Sequence, residues 1–106
     1  MSRPPDRRIK RRFELTKNVV ANKGMISVNM SETGMLLECP RLHSIGNKFE
    51  LELNLSGSSV KVTCAVQWSK SNPSAFSDQF LCGVEFSELK ASKLLLVRQF
   101  LEQFDD

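Results

Sequence analysis

From Phe13 onward the chain alternates apolar and polar residues with a period of two over most of its length, the signature of strands that bury one face. Phe13, Leu15, Val19 and Ala21 suggest a first strand, with Lys17 breaking the pattern, and Asn22-Lys23-Gly24 reads as a turn. In the next strand Ile26, Val28 and Met30 are expected to point inward, with Ser27, Asn29 and Ser31 outward. Gly34 allows a turn, Met35 to Glu38 resume a strand, and Pro40 stops it. After a loop around Gly46, Phe49, Leu51, Leu53 and Leu55 alternate with Glu50, Glu52, Asn54 and Ser56. Ser56-Gly57-Ser58 is a hairpin signal. Val60, Val62, Cys64, Val66 and Trp68 share the next inward face, residues 71–77 read as a loop, and Phe80, Cys82, Val84 and Phe86 form a sixth strand.

The period then changes. Between about residues 89 and 104, Leu94, Val97, Leu101 and Phe104 fall on one helical face, widened by Leu96 and Phe100. Six strands and a terminal helix predict an all-β chain: a six-stranded antiparallel barrel with a C-terminal α-helix packed on it. A chain of 106 residues, 41% of them hydrophobic, is one domain's worth with enough apolar matter for a core. No apolar run approaches the roughly 18 residues of a membrane span, so no membrane insertion is expected.

Charge adds a feature that periodicity does not show. Residues 1–12 hold six basic residues and one acid, a net +5, whereas the remaining 94 carry −2. Pro4, Pro5 and the charge density make this segment an extended, flexible basic arm ahead of a barrel over 13–106. A short basic arm on a near-neutral body suits capture of a compact anion, or a tail on a polyanion, better than bulk coating of nucleic acid. The phenylalanines mostly fall at inward positions, and Trp68 follows the inward face of its strand, so core packing is expected of it and no aromatic platform for nucleic acid is visible.

Catalytic and metal chemistry find little support. Cys39, Cys64 and Cys82 are scattered singletons, suited to reduced core thiols in a cytoplasmic chain rather than to disulfides or metal ligation. His43 is the only histidine and sits in a loop, and Glu50, Glu52 and Glu85 fall on outward strand positions. No nucleophile, base and oxyanion set can be assembled, so an enzyme is the least favoured class, and no metal or cofactor is expected.

Two short patterns carry binding chemistry. Arg8 and Arg12 form R-x-x-x-R, with Arg7 directly before them. Positions i and i+4 share a side in an extended chain and in a helix alike. Guanidinium forks match phosphate oxygens, and also the O6 and N7 edge of guanine. Asn29, Ser31 and Gly34 form N-x-S-x-x-G, in which the amide and hydroxyl supply donors and acceptors and Gly34 permits a tight turn or close backbone approach by a ligand. Taken singly, each pattern is better explained as a solvated basic tail or an ordinary polar strand edge.

Together, in this order and 17 positions apart from Arg12 to Asn29, the two patterns resemble the PilZ family, whose motifs are R-x-x-x-R and [D/N]-x-S-x-x-G. Gly83-Val84-Glu85-Phe86 is similar to the G-x-x-F of that family's late strand, and the resemblance spans roughly residues 7–104. It implies a split barrel and a bacterial, cytoplasmic receptor for cyclic di-GMP. Arg8 and Arg12 would grip guanine edges and phosphates, Asn29 and Ser31 would bond the other side of the ligand, and Gly34 would keep the turn open. An Arg at the position of Arg7 accompanies binding of two stacked ligand molecules in this family. Asn29 stands where many members have Asp, and its carbonyl can still accept from a guanine N–H. A chain too small for a second effector domain would pass its signal to a separate protein, with motility, adhesion or exopolysaccharide control as the outputs that the resemblance offers. The alternative is a PilZ-like interaction adaptor without useful ligand affinity.

Overall fold

The computed structural model describes residues 11–71, 79–87 and 89–104. Its six strands are β1 (Phe13–Glu14), β2 (Ile26–Met30), β3 (Gly34–Cys39), β4 (Lys48–Leu55), β5 (Ser58–Ser71) and β6 (Phe80–Ser87), followed by helix α1 (Ala91–Glu102). All pairings are antiparallel, in the order β1-β2-β3-β6-β5-β4, and the sheet curls into a half-barrel, in keeping with the expected split barrel. The β4–β5 hairpin turns through Ser56 and Gly57, both at positive φ (54° and 89°), the backbone that a two-residue hairpin needs to match strand twist.

The first strand is shorter than its alternation suggested. β1 ends at Glu14, and the chain crosses over to run beside β4 instead. There Val20 bridges Leu53, the Ala21 N–H donates to the Glu52 carbonyl at 2.8 Å, and the Asn54 N–H donates to the Val19 carbonyl at 2.8 Å. The Asn22 side chain continues the line, donating to the Glu50 carbonyl and accepting from the Glu52 N–H. These bonds cover part of the open edge of β4 and bring the two ends of the sheet together. Gly24, at φ 80°, completes the turn that follows.

The core between the sheet and α1 contains Met30, Met35, Leu37, Leu51, Leu53, Val62, Val66 and Val84. On the helix, Val97, Phe100 and Leu101 are buried, and Phe104 packs edge-to-face against Phe100 and tilted against Phe13, with ring centroids 5.3 and 6.2 Å apart. Burying each of these three side chains contributes about 2 kcal/mol, so the apolar face is what holds the helix to the barrel. Cys39, Cys64 and Cys82 are all buried and free. A hydrogen bond to Cys82 and burial push the Cys39 thiol up, and burial pushes Cys64 up to about 12. These two remain protonated and unreactive near neutral pH.

Candidate ligand-binding site

Two β-bulges decide what the outer face of the sheet displays. In β2, Ser27 pairs with Leu37 but Asn29 pairs with Leu36, so Val28 is an extra residue. In β5, Val66 pairs with Val84 but Trp68 pairs with Gly83, so Gln67 is extra. One inserted residue reverses the facing of everything beyond it. Ile26 is therefore 46% exposed rather than inward, while Ser27 is buried opposite Leu37. Ser27 is satisfied there: its hydroxyl accepts from the Val19 N–H at 3.0 Å and bonds Asn18 Oδ1 at 3.2 Å, tying the crossing segment to β2.

The second bulge overturns the core position expected of Trp68. Its indole is 39% exposed and lies over Gly83, where an added Cβ would strike Nε1 and Cε2. The Lys70 ammonium sits 5.5 Å from a ring centroid of Trp68. Register then aligns one row of outward positions across five strands: Glu14, Asn29, Leu36, Gly83 and Trp68. With strands about 4.8 Å apart, Asn29 and Trp68 stand about 14 Å from each other along this row. The glycine between them lets the indole lie flat on the sheet.

The arm reaches the same row. The Arg12 guanidinium donates to Asn29 Oδ1 at 3.1 Å, joining the two sequence patterns through a direct bond. Arg11 instead stacks over the Phe13 ring, 4.8 Å from its centroid. Arg7 and Arg8 lie outside the described residues, as does all but the last part of the predicted arm.

Ser31 departs from the expectation that it shares the outer wall with Asn29. It is only 1% exposed and builds the turn between β2 and β3. Its N–H donates to the Gly34 carbonyl at 2.9 Å, and its hydroxyl accepts from the Thr33 N–H and bonds the Thr33 hydroxyl, both at 3.2 Å. Gly34 is the first residue of β3, with no left-handed backbone. It serves close approach to β6 rather than to a ligand: a Cβ there would drive into the Val84 carbonyl oxygen. The turn is tied to β6 again by the Phe86 N–H, which donates to the Thr33 carbonyl at 2.8 Å.

The residue between Ser31 and Thr33 gave no signal in sequence. Glu32 is buried, with its side chain 6% exposed, and accepts from Arg98 Nε on α1 at 2.5 Å. Strand alternation placed neither this pair nor Trp68 at the site. The one hint was the late-strand Gly83, whose missing side chain is the space Trp68 fills. Among the described residues no cluster of three or more His, Cys, Asp or Glu could hold a metal, and no helix is long and apolar enough to cross a membrane.

The family model of the PilZ domain matches residues 6–103, nearly the whole chain, including Arg7, Arg8 and Arg12. This chain belongs to the PilZ family. PilZ domains form a family of cyclic di-GMP-binding adaptors, a binding rather than a catalytic family. Searches of curated proteins and of solved structures return no significant match. In this PilZ domain the row from Asn29 to Trp68 offers a hydrogen-bonding end and an aromatic end, with Leu36 between them and the indole seated on Gly83.

Proposed function

We propose that this PilZ domain is a bacterial, cytoplasmic cyclic di-GMP receptor that holds its ligand on the outer row between Arg12–Asn29 and Trp68 and passes the signal to a separate effector protein. The observation that carries the reading is the Arg12–Asn29 bond, which brings both motifs to one place on the sheet. Arg8 and Arg12 supply guanidinium forks to guanine edges and phosphates. Asn29 accepts from a guanine N–H, with Ser31 and Gly34 shaping the turn beside it. Trp68 offers a π-face to a guanine base, an attraction that needs no particular hydrogen-bond pattern. Arg7 stands where it would favour a second, stacked ligand molecule. A ligand with two phosphates neutralises an arm of net charge +5 and draws it onto the sheet, creating a surface of arm, ligand and β2 for the partner.

Trp68 is the only tryptophan, so its fluorescence reports directly on this row. Titration with cyclic di-GMP is expected to change the emission saturably. Arg12→Ala is expected to weaken that binding by about tenfold or more, the loss of one bidentate contact. Emission that stays constant through millimolar ligand would contradict the placement of the site.

A further inference from the structure

We propose that Glu32 and Arg98 form a positioning pair that holds the Asn29–Gly34 turn in its binding shape by anchoring it to helix α1. The inference rests on the reading of this turn as part of a cyclic di-GMP site, and it assigns a role to two residues that the family's motifs leave unspecified. Glu32 lies inside the N-x-S-x-x-G pattern at one of its free positions, yet its carboxylate is buried where a surface turn would leave it in water. Arg98, 49% exposed, comes from an element 66 positions away to meet it. A buried carboxylate without its cation carries an uncompensated desolvation cost, which favours movement of the side chain and of the backbone that bears it toward water. That backbone is the turn: Ser31 precedes Glu32, and Thr33 and Gly34 follow.

The two partners differ in how firmly they are held. Helix α1 is fixed by Val97, Phe100 and Leu101 in the core and by the packing of Phe104, so it has little need of the ion pair. The turn has a short ladder of bonds: Ser31 N–H to the Gly34 carbonyl, Thr33 N–H to Ser31 Oγ, and Phe86 N–H to the Thr33 carbonyl. The helix is therefore the anchor and the turn the compliant member. Arg98 acts through Glu32 on the placing of Ser31 and, two residues beyond, of Asn29. Occupancy of the outer row and seating of the turn on α1 are linked in both directions.

Charge separates this role from a simple field effect. Cyclic di-GMP is an anion, so removal of a nearby negative charge by Glu32→Gln would by itself tighten binding. A positioning role gives the opposite sign, because a neutral amide holds the guanidinium less strongly. Calorimetric titration of Glu32→Gln is expected to show affinity about three- to tenfold weaker than wild type. Amide hydrogen exchange in ligand-free protein is expected to quicken at Ser31, Thr33 and Phe86, in Glu32→Gln and in Arg98→Gln alike, while the core of β5 keeps its protection. Equal or tighter binding by Glu32→Gln, or unchanged exchange at those three amides, overturns the inference. Failure of the wild type itself to bind cyclic di-GMP would instead strike the receptor reading, and the exchange measurement would still decide whether the pair positions the turn.

Discussion

Gly34→Ala is expected to destabilise the domain by about 1–3 kcal/mol, the cost of overpacking a site that cannot yield. The substitution adds one carbon, but that carbon would meet the Val84 carbonyl oxygen of β6, which is backbone and cannot swing aside. Gly34 opens the β3–β6 ladder, pairing with Glu85, and its carbonyl accepts from Ser31. Relief of the clash therefore separates β3 from β6 at the end that also carries the motif turn. Against a typical total stability of about 5–15 kcal/mol, this is a large share. Urea unfolding measures it as a lower midpoint at unchanged slope. Ligand affinity is expected to fall in the same variant. Stability within about 0.5 kcal/mol of wild type would show that β6 gives way more easily than its position implies.

Trp68→Ala is expected to have the reverse profile, with little effect on stability and a large effect on binding. The side chain is more than a third exposed and lies on the outside of the sheet, so its removal leaves no core cavity. A base stacked on it contributes about 1–3 kcal/mol, equivalent to roughly a five- to 150-fold loss of affinity for cyclic di-GMP. Gly83→Ala provides a second route to the same loss. There the new Cβ meets the indole rather than backbone, so the ring shifts off its seat and the sheet survives. Affinities measured by calorimetry for both variants should fall together while urea midpoints stay near that of wild type. Wild-type affinity in Trp68→Ala would remove the aromatic end of the row from the site.

Much of the fold was legible because strand alternation and hairpin chemistry are local. The Phe49–Leu55 and Val60–Val66 patterns run without interruption, and Ser56-Gly57 supplies the required backbone, so β4, β5 and their register follow directly. Leu94, Val97 and Leu101 declare the helix in the same way. The bulges were not legible. Ile26-Ser27-Val28-Asn29-Met30 alternates cleanly on paper, and an inserted residue that reverses facing leaves no mark in that alternation. Ser27 and Trp68 were misplaced for the same reason, and the lower half of the first strand was misplaced because only long-range pairing with β4 takes Val19–Ala21 away from β2.

The site shows the same division. Arg12, Asn29 and Gly34 could be singled out as motif residues, but what each one touches depends on partners far along the chain. Gly34 answers to Val84, and Ser31 turns inward to Thr33 and Gly34 instead of standing beside Asn29. Glu32 gains its meaning only from Arg98 on the terminal helix. Spacing identified where ligand chemistry is concentrated, while packing determined which of those groups face outward and which build the support beneath them.

The central claim, that the arm and the outer row together form a cyclic di-GMP receptor, is tested most directly by isothermal titration of the full chain alongside the double variant Arg8→Ala, Arg12→Ala. The expected result is saturable binding by the wild type at physiological salt, with about two ligands per chain if Arg7 supports a stacked pair, and loss of binding by a double variant that remains folded. No binding by the wild type, or equal binding by the double variant, would contradict the claim.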